Sequence, residues 1–165
     1  MDNREFEKVY KPRFKRLEEH LPDTDDLCLI TLKGHLLVEE ILEEIVLHHC
    51  LEPETLNGVD ISFFLKLRLA QSLIGSEKSP KFIWEMASAL NSLRNELSHN
   101  LESEKVDGKL ERFLSFYRKN NAEVRNLDKA AELKTVIGYT LGALSFVETS
   151  LKTGKIPPKM EVEDV

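Results

Sequence analysis

Apolar residues recur along this chain at three- and four-residue spacing, the period of helices with one buried face, and nowhere alternate as strands would. The first such run predicts a helix from about Asp2 to His20, with Phe6, Val9, Tyr10, Phe14 and Leu17 on its apolar side. Pro12 lies inside it, so either a kink or two short helices is expected. LPDTDD then supplies a turn, with Thr24 and Asp25 as cap candidates. The longest run, Asp26 to about Cys50, predicts a central helix burying Leu27, Ile30, Leu37, Ile41, Leu42, Ile45 and Val46. Its other side carries Glu39, Glu40, Glu43 and Glu44, which read as a solvated face. Gly34 inside it costs about 1 kcal/mol relative to alanine, which a close helix crossing would explain.

Pro53 and Asn57-Gly58 mark a loop over 51–59. Asp60 is placed to cap a helix from Ile61 to Ile74 whose Phe64, Leu67 and Leu73 face inward, while Lys66 and Arg68 reach solvent by their long stems. Gly75-Ser76 ends it. Ser79 and Pro80 then form a strong start signal, the hydroxyl as cap and the proline at the first helical position. The helix they open runs to about Ser98–Leu101, and contains Trp84, whose indole needs one hydrogen-bond partner if buried. Two further helices are predicted, Lys109–Lys119 around Leu110, Phe113, Leu114 and Tyr117, and Leu127–Thr153 around Leu133, Val136, Ile137, Leu144, Val147 and Leu151. Gly138 and Gly142, four apart in the last helix, permit close approach of a neighbour. The fold class is therefore all-α, a single-domain antiparallel bundle of five to six helices over residues 1–153, followed by a flexible acidic tail, 154–165.

Composition narrows the function classes. With 41% hydrophobic and 32% charged residues in 165, the chain suits one globular domain with a sizeable core. A net charge of -6 argues against a broad basic nucleic-acid surface, and no helix-turn-helix stands out, so direct sequence-specific DNA binding is not expected. Lys11, Arg13, Lys15 and Arg16 cluster, but with acidic residues flanking them in the same helix they read as a solvated face. Cys28 and Cys50 match neither a disulfide framework nor a metal spacing and read as free, small core residues of a reducing compartment. His48 and His49 point about 100° apart on a helix and read as helix-terminal residues rather than metal ligands. No signal core and no membrane span is evident, so a cytoplasmic protein without membrane association is expected. Neither a Gly-rich phosphate loop nor a cofactor pattern occurs, and no cofactor is expected.

The chemistry concentrates in Leu90–Leu101, LNSLRNELSHNL. On a helix, Ile83, Ala87, Leu90, Leu97 and Leu101 form one apolar stripe with Arg94 in its middle. A permanently charged guanidinium there needs a carboxylate, another anion or solvent. Five residues on stands His99, whose ordinary pKa is near neutrality. A fixed cation and a proton carrier suit phosphodiester chemistry. Along an intact helix five residues turn by about 140°, so the two would meet only if the last turn unwound or a second copy of the helix approached.

Arg94-Asn95-Glu96-Leu97-Ser98-His99 resembles the signature of the HEPN superfamily, an arginine, often a polar residue after it, and a histidine after four to six intervening residues near the end of a helix in an all-α bundle. The preceding LITLKGHLLVEEILEEIV and SFFLKLRLAQSLIG, in that order, look like the mannitol operon repressor family and related HEPN-like domains, a likeness covering about residues 27–101. The resemblance implies one of two functions. In the catalytic branch the chain would be a metal-independent endoribonuclease, such as a toxin or defence effector, built as a homodimer across which the motifs meet. His99 would move the proton at the RNA 2′-oxygen or the leaving oxygen, Arg94 would stabilise the phosphate, and Asn95 would orient the pair. In the noncatalytic branch it would be a regulatory or protein-interaction module of the mannitol operon repressor type, also dimeric. Arg94 would then be a structural ion-pair member, for instance with a glutamate of the long helix, and His99 a helix-terminal residue. The expected partners are thus a second copy of the chain, RNA if it is catalytic, and an inhibitory or regulatory protein.

Overall fold

The computed structural model describes residues 3–75, 79–99, 104–119 and 127–153. Six α-helices account for most of them: α1 Asn3–His20, α2 Leu27–His48, α3 Phe63–Ile74, α4 Lys81–His99, α5 Glu104–Arg118 and α6 Lys129–Thr153. The protein is an all-α helical bundle, and no strand occurs among the described residues. Leu101 and the tail 154–165 lie outside the described residues, as do the side chains of Phe6, Val9, Tyr10 and Leu151.

The core forms because α2 packs on α6 most extensively, then on α3 and α4, while α5 packs on α4 and α6, and α1 on α6 and, more lightly, on α2. Ile30, Leu37, Ile41, Leu42, Ile45 and Val46 of α2 are buried as their spacing predicts. They meet Ile83, Ala87, Leu90 and Leu93 of α4 and Leu133, Val136, Ile137 and Leu144 of α6 in a single apolar cluster. Gly34 is a close crossing point: a Cβ there would stand 2.6 Å from Ile137 Cδ1. Gly138 is a second, where a Cβ would lie 3.2 Å from Leu17 Cδ2, whereas nothing approaches Gly142.

Several local expectations shift once the partners are visible. α1 is assigned as one helix through Pro12 rather than two. The α2 cap is Asp26, whose Oδ1 accepts from the backbone N–H of Cys28 and of Leu29; Thr24 Oγ1 instead accepts from Asp26 N–H. Ser62, not Asp60, caps α3, accepting from Leu65 N–H. α3 therefore begins two residues late, burying Phe63, Leu67, Ala70 and Ile74 and leaving Phe64 and Leu73 exposed. Gly75 closes it with φ 76°. Ser79 does not cap α4. Its hydroxyl donates to Gly75 C=O and accepts the indole N–H of buried Trp84 at 2.9 Å, while Pro80 lies outside the helix and its carbonyl accepts from Ile83 N–H. α5 starts five residues early, because Glu104 and Asp107 suit a helix N-terminus.

The largest departure concerns charge. The glutamates of α2 are clamps: Glu44 and Glu40 take Arg13 and Arg16 of α1, and Glu39 and Glu43 share Lys66 of α3 at 3.1 and 2.9 Å. Arg13 also reaches Glu148 of α6. Hence Lys66 is largely buried, and Arg13 and Arg16 are tied down rather than simply solvated. Cys28 is exposed on α2, not in the core; Cys50 just beyond it donates its thiol to Val46 C=O, and both are free. No helix among the described residues is long and apolar enough to cross a membrane.

Candidate functional site

α4 carries the motif because its apolar stripe seats it against α2 and α5, which fixes what the residues between can face. Leu90 and Leu93 are buried, Arg94 and Leu97 half-buried, and Asn95, Ser98 and His99 exposed. The Ser98 hydroxyl donates to Arg94 C=O at 2.9 Å, and α4 stays helical through His99. The last turn is therefore closed, and unwinding does not bring the pair together. Arg94 and His99 project about 140° apart around one helix.

Arg94 is the informative residue. Its Nε is buried without a hydrogen-bond partner, and its Nη1 donates to Asn95 Oδ1 at 3.2 Å. Among the described residues no carboxylate lies within 4.0 Å of it. The other half-buried arginines among the described residues, Arg13 and Arg118, are both paired with glutamates. The glutamates of α2, which the sequence offers as partners for Arg94, are engaged instead by Arg13, Arg16 and Lys66. Arg94 thus offers a partly desolvated guanidinium, amide-flanked, with capacity for an external anion.

A second group lies beside it. His35 of α2 is 4% exposed, stacks on Phe63 with ring centroids 4.2 Å apart, and its Nε2 bonds Asn91 Oδ1 at 3.0 Å. Asn91 sits one turn before Arg94 on the same side of α4. Burial holds the His35 imidazole pKa below the usual range; the Asn91 bond and Glu39 oppose this, and the Arg94 charge adds to it. Its Nδ1 and the hydroxyl of fully buried Thr31, one turn earlier, have no hydrogen-bond partner. Motif reasoning passes over this group. The visible signal is Thr31, His35 and Glu39 at four-residue spacing, which places three polar side chains along one side of α2.

His48 and His49 stand edge to face, and His49 Nδ1 meets Ile45 C=O at 2.9 Å, a helix-end arrangement. Among the described residues no group of three or more His, Cys, Asp and Glu side chains is placed to hold a metal ion. Comparison with protein-family models, curated proteins and solved structures finds no match to this chain.

Proposed function

We propose that the chain is a metal-independent endoribonuclease of the HEPN type, acting as a homodimer in which Arg94, Asn95 and His99 of both copies line a shared cleft. The observation that carries this is Arg94 itself, a half-buried guanidinium with no carboxylate beside it among the described residues and with Asn95 as its hydrogen-bond acceptor. A structural arginine in this bundle is paired, as Arg13 and Arg118 are. An arginine reserved for a phosphate is not.

The chemistry follows from the groups available. The 2′-oxygen of RNA attacks the adjacent phosphorus while the bond to the 5′-oxygen breaks, leaving a 2′,3′-cyclic phosphate and a 5′-hydroxyl. Exposed His99 takes the 2′-hydroxyl proton or protonates the departing oxygen, with its counterpart in the second copy supplying the complementary step. Arg94 stabilises the extra charge on the phosphoryl oxygens. This reading needs the dimer, since along the closed last turn of α4 one copy holds the two side chains on different sides of the helix.

The test is cleavage of labelled single-stranded and structured RNAs in EDTA by the wild type, Arg94→Ala and His99→Ala, each shown to fold and dimerise. Cleavage that both substitutions abolish, with cyclic phosphate ends, supports the nuclease. Absence of cleavage, in lysate as well as in purified solution, moves the protein to a second reading favoured by a separate observation. Leu29, Leu32 and Leu36 of α2 are exposed, as are Leu65, Leu69 and Leu73 of α3, each set at helical spacing. Such stripes suit a noncatalytic regulatory module of the mannitol operon repressor type that binds protein through helix faces.

A further inference from the structure

The junction of α2 and α4 contains a titratable group that the proposed chemistry does not use. His35 is buried, and three elements surround it: Glu39 on its own helix, with Oε2 3.9 Å from Nδ1; Asn91 and Arg94 on α4; and Phe63 on α3, whose Lys66 holds the other oxygen of Glu39 at 3.1 Å. We propose that His35 is a positioning residue for Arg94, acting through Asn91: as a neutral ring it fixes the α4 face that presents Arg94, and its protonation disturbs that face. This inference rests on the reading of Arg94 as the phosphate-binding residue.

The geometry gives the reason. Nε2 is the ring's link to α4, and a neutral imidazole with Nε2–H donating to Asn91 Oδ1 leaves Nδ1 as a lone pair needing no donor. Adding a proton at Nδ1 changes three things together. A second cation then stands near Arg94, whose own charge already disfavours it. A buried N–H faces Glu39, which Lys66 already engages, so the ring competes for one carboxylate with the clamp between α2 and α3. And the aromatic stack on Phe63 must hold a charged ring in an apolar site. Arg94 is exposed to all of these because its Nε is buried and has no hydrogen bond of its own to lock it.

The experiment is an NMR titration of the 165-residue chain with labelled side chains, following the His35 ring, the Asn91 amide and the Arg94 Nε–H from about pH 8 down to about pH 5, which brackets an ordinary histidine. The Asn91 and Arg94 resonances are expected to shift with the same midpoint as His35, below about 6.5, and to lose that transition in His35→Gln. Asn91→Asp is expected to move the midpoint upward, because a carboxylate favours the imidazolium; this variant decides the matter if His35→Gln does not fold. Asn91 and Arg94 resonances that stay fixed while His35 titrates, or that shift equally in His35→Gln, overturn the proposal. RNA cleavage rates over the same pH series separate it from the nuclease reading. With an active enzyme, the ratio of wild-type to His35→Gln rates should fall toward low pH, and a constant ratio also overturns the positioning role. If no RNA is cut at any pH while the three resonances still move together, the nuclease reading fails and the coupling of His35 to Arg94 stands.

Discussion

Gly34 of α2 faces Ile137 of α6 so closely that a Cβ on the glycine would stand 2.6 Å from Cδ1 and 2.8 Å from Cγ2 of the isoleucine. In an exposed helix, Gly34→Ala would gain about 1 kcal/mol from helix propensity. Here Ile137 is fully buried, and the branch carbon Cγ2 cannot swing away as a flexible chain end could. Overpacking of this kind costs about 1–3 kcal/mol, so the expected net effect is destabilisation by up to about 2 kcal/mol in place of that gain. Urea unfolding of Gly34→Ala, Ile137→Ala and the double variant checks this. The double variant should be less unstable than the sum of the singles.

Trp84 has its indole N–H on the Ser79 hydroxyl in a buried setting, 2.9 Å apart. Ser79→Ala leaves that donor unpaired and should cost about 1–3 kcal/mol. Because Trp84 is the chain's one tryptophan, a shift in its emission together with a lowered unfolding midpoint tests the bond directly. A midpoint unchanged from the wild type would show that the hydroxyl is dispensable.

Arg118 of α5 holds Glu132 of α6, which is only 2% exposed, with Nη2 at 2.6 Å from Oε2. The two glutamates around it, Glu132 foremost and then Glu111, raise the Arg118 pKa. Arg118→Ala strands a buried carboxylate, for which a loss of about 3–5 kcal/mol is expected. Replacing both partners, as Arg118→Met with Glu132→Leu, should recover most of that loss, since no buried charge then remains. Thermal melts of the three proteins give the comparison.

His35 makes stability depend on pH. Its folded pKa is lowered, chiefly by burial, so in mildly acid solution the unfolded chain takes up a proton that the folded chain refuses. The unfolded state then binds more protons, and stability rises with pH across the window between the lowered folded value and the ordinary value of about 6.5. Above that window the contribution is flat. Urea midpoints should therefore fall for the wild type as pH drops below about 6.5, and fall less for His35→Gln. Equal acid sensitivity in the two proteins would place the titrating group elsewhere.

The all-α class was legible from periodicity because burial of one helical face is a local property of the sequence. The burial of Ile30, Leu37, Ile41, Leu42, Ile45 and Val46 in α2 and of Leu133, Val136, Ile137, Leu144 and Val147 in α6 follows from spacing alone, as do the crossing at Gly34 and the need of Trp84 for a partner, whereas Leu27 is only half-buried. Helix ends were less legible where two residues competed for one role. Asp26 took the cap from Thr24 and Asp25, and Ser79 serves Trp84 rather than the start of α4. Only a distant partner decides such contests.

The candidate site divides the same way. Arg94, Asn95 and His99 were visible as a motif because their types and spacing lie in one stretch, and the closed helix then sets Arg94 and His99 on different sides. His35 and Asn91 were not visible, being 56 residues apart and joined only where α2 and α4 pack. Charge was least legible of all. An arginine or glutamate on a helix reads the same whether it meets water or an opposite charge, and the difference lies in which helix face arrives opposite. The sequence by itself therefore determined which faces must be buried and which residues could do chemistry. The tertiary structure decided which charges are spent on one another, leaving Arg94, among the described half-buried arginines, without a carboxylate partner.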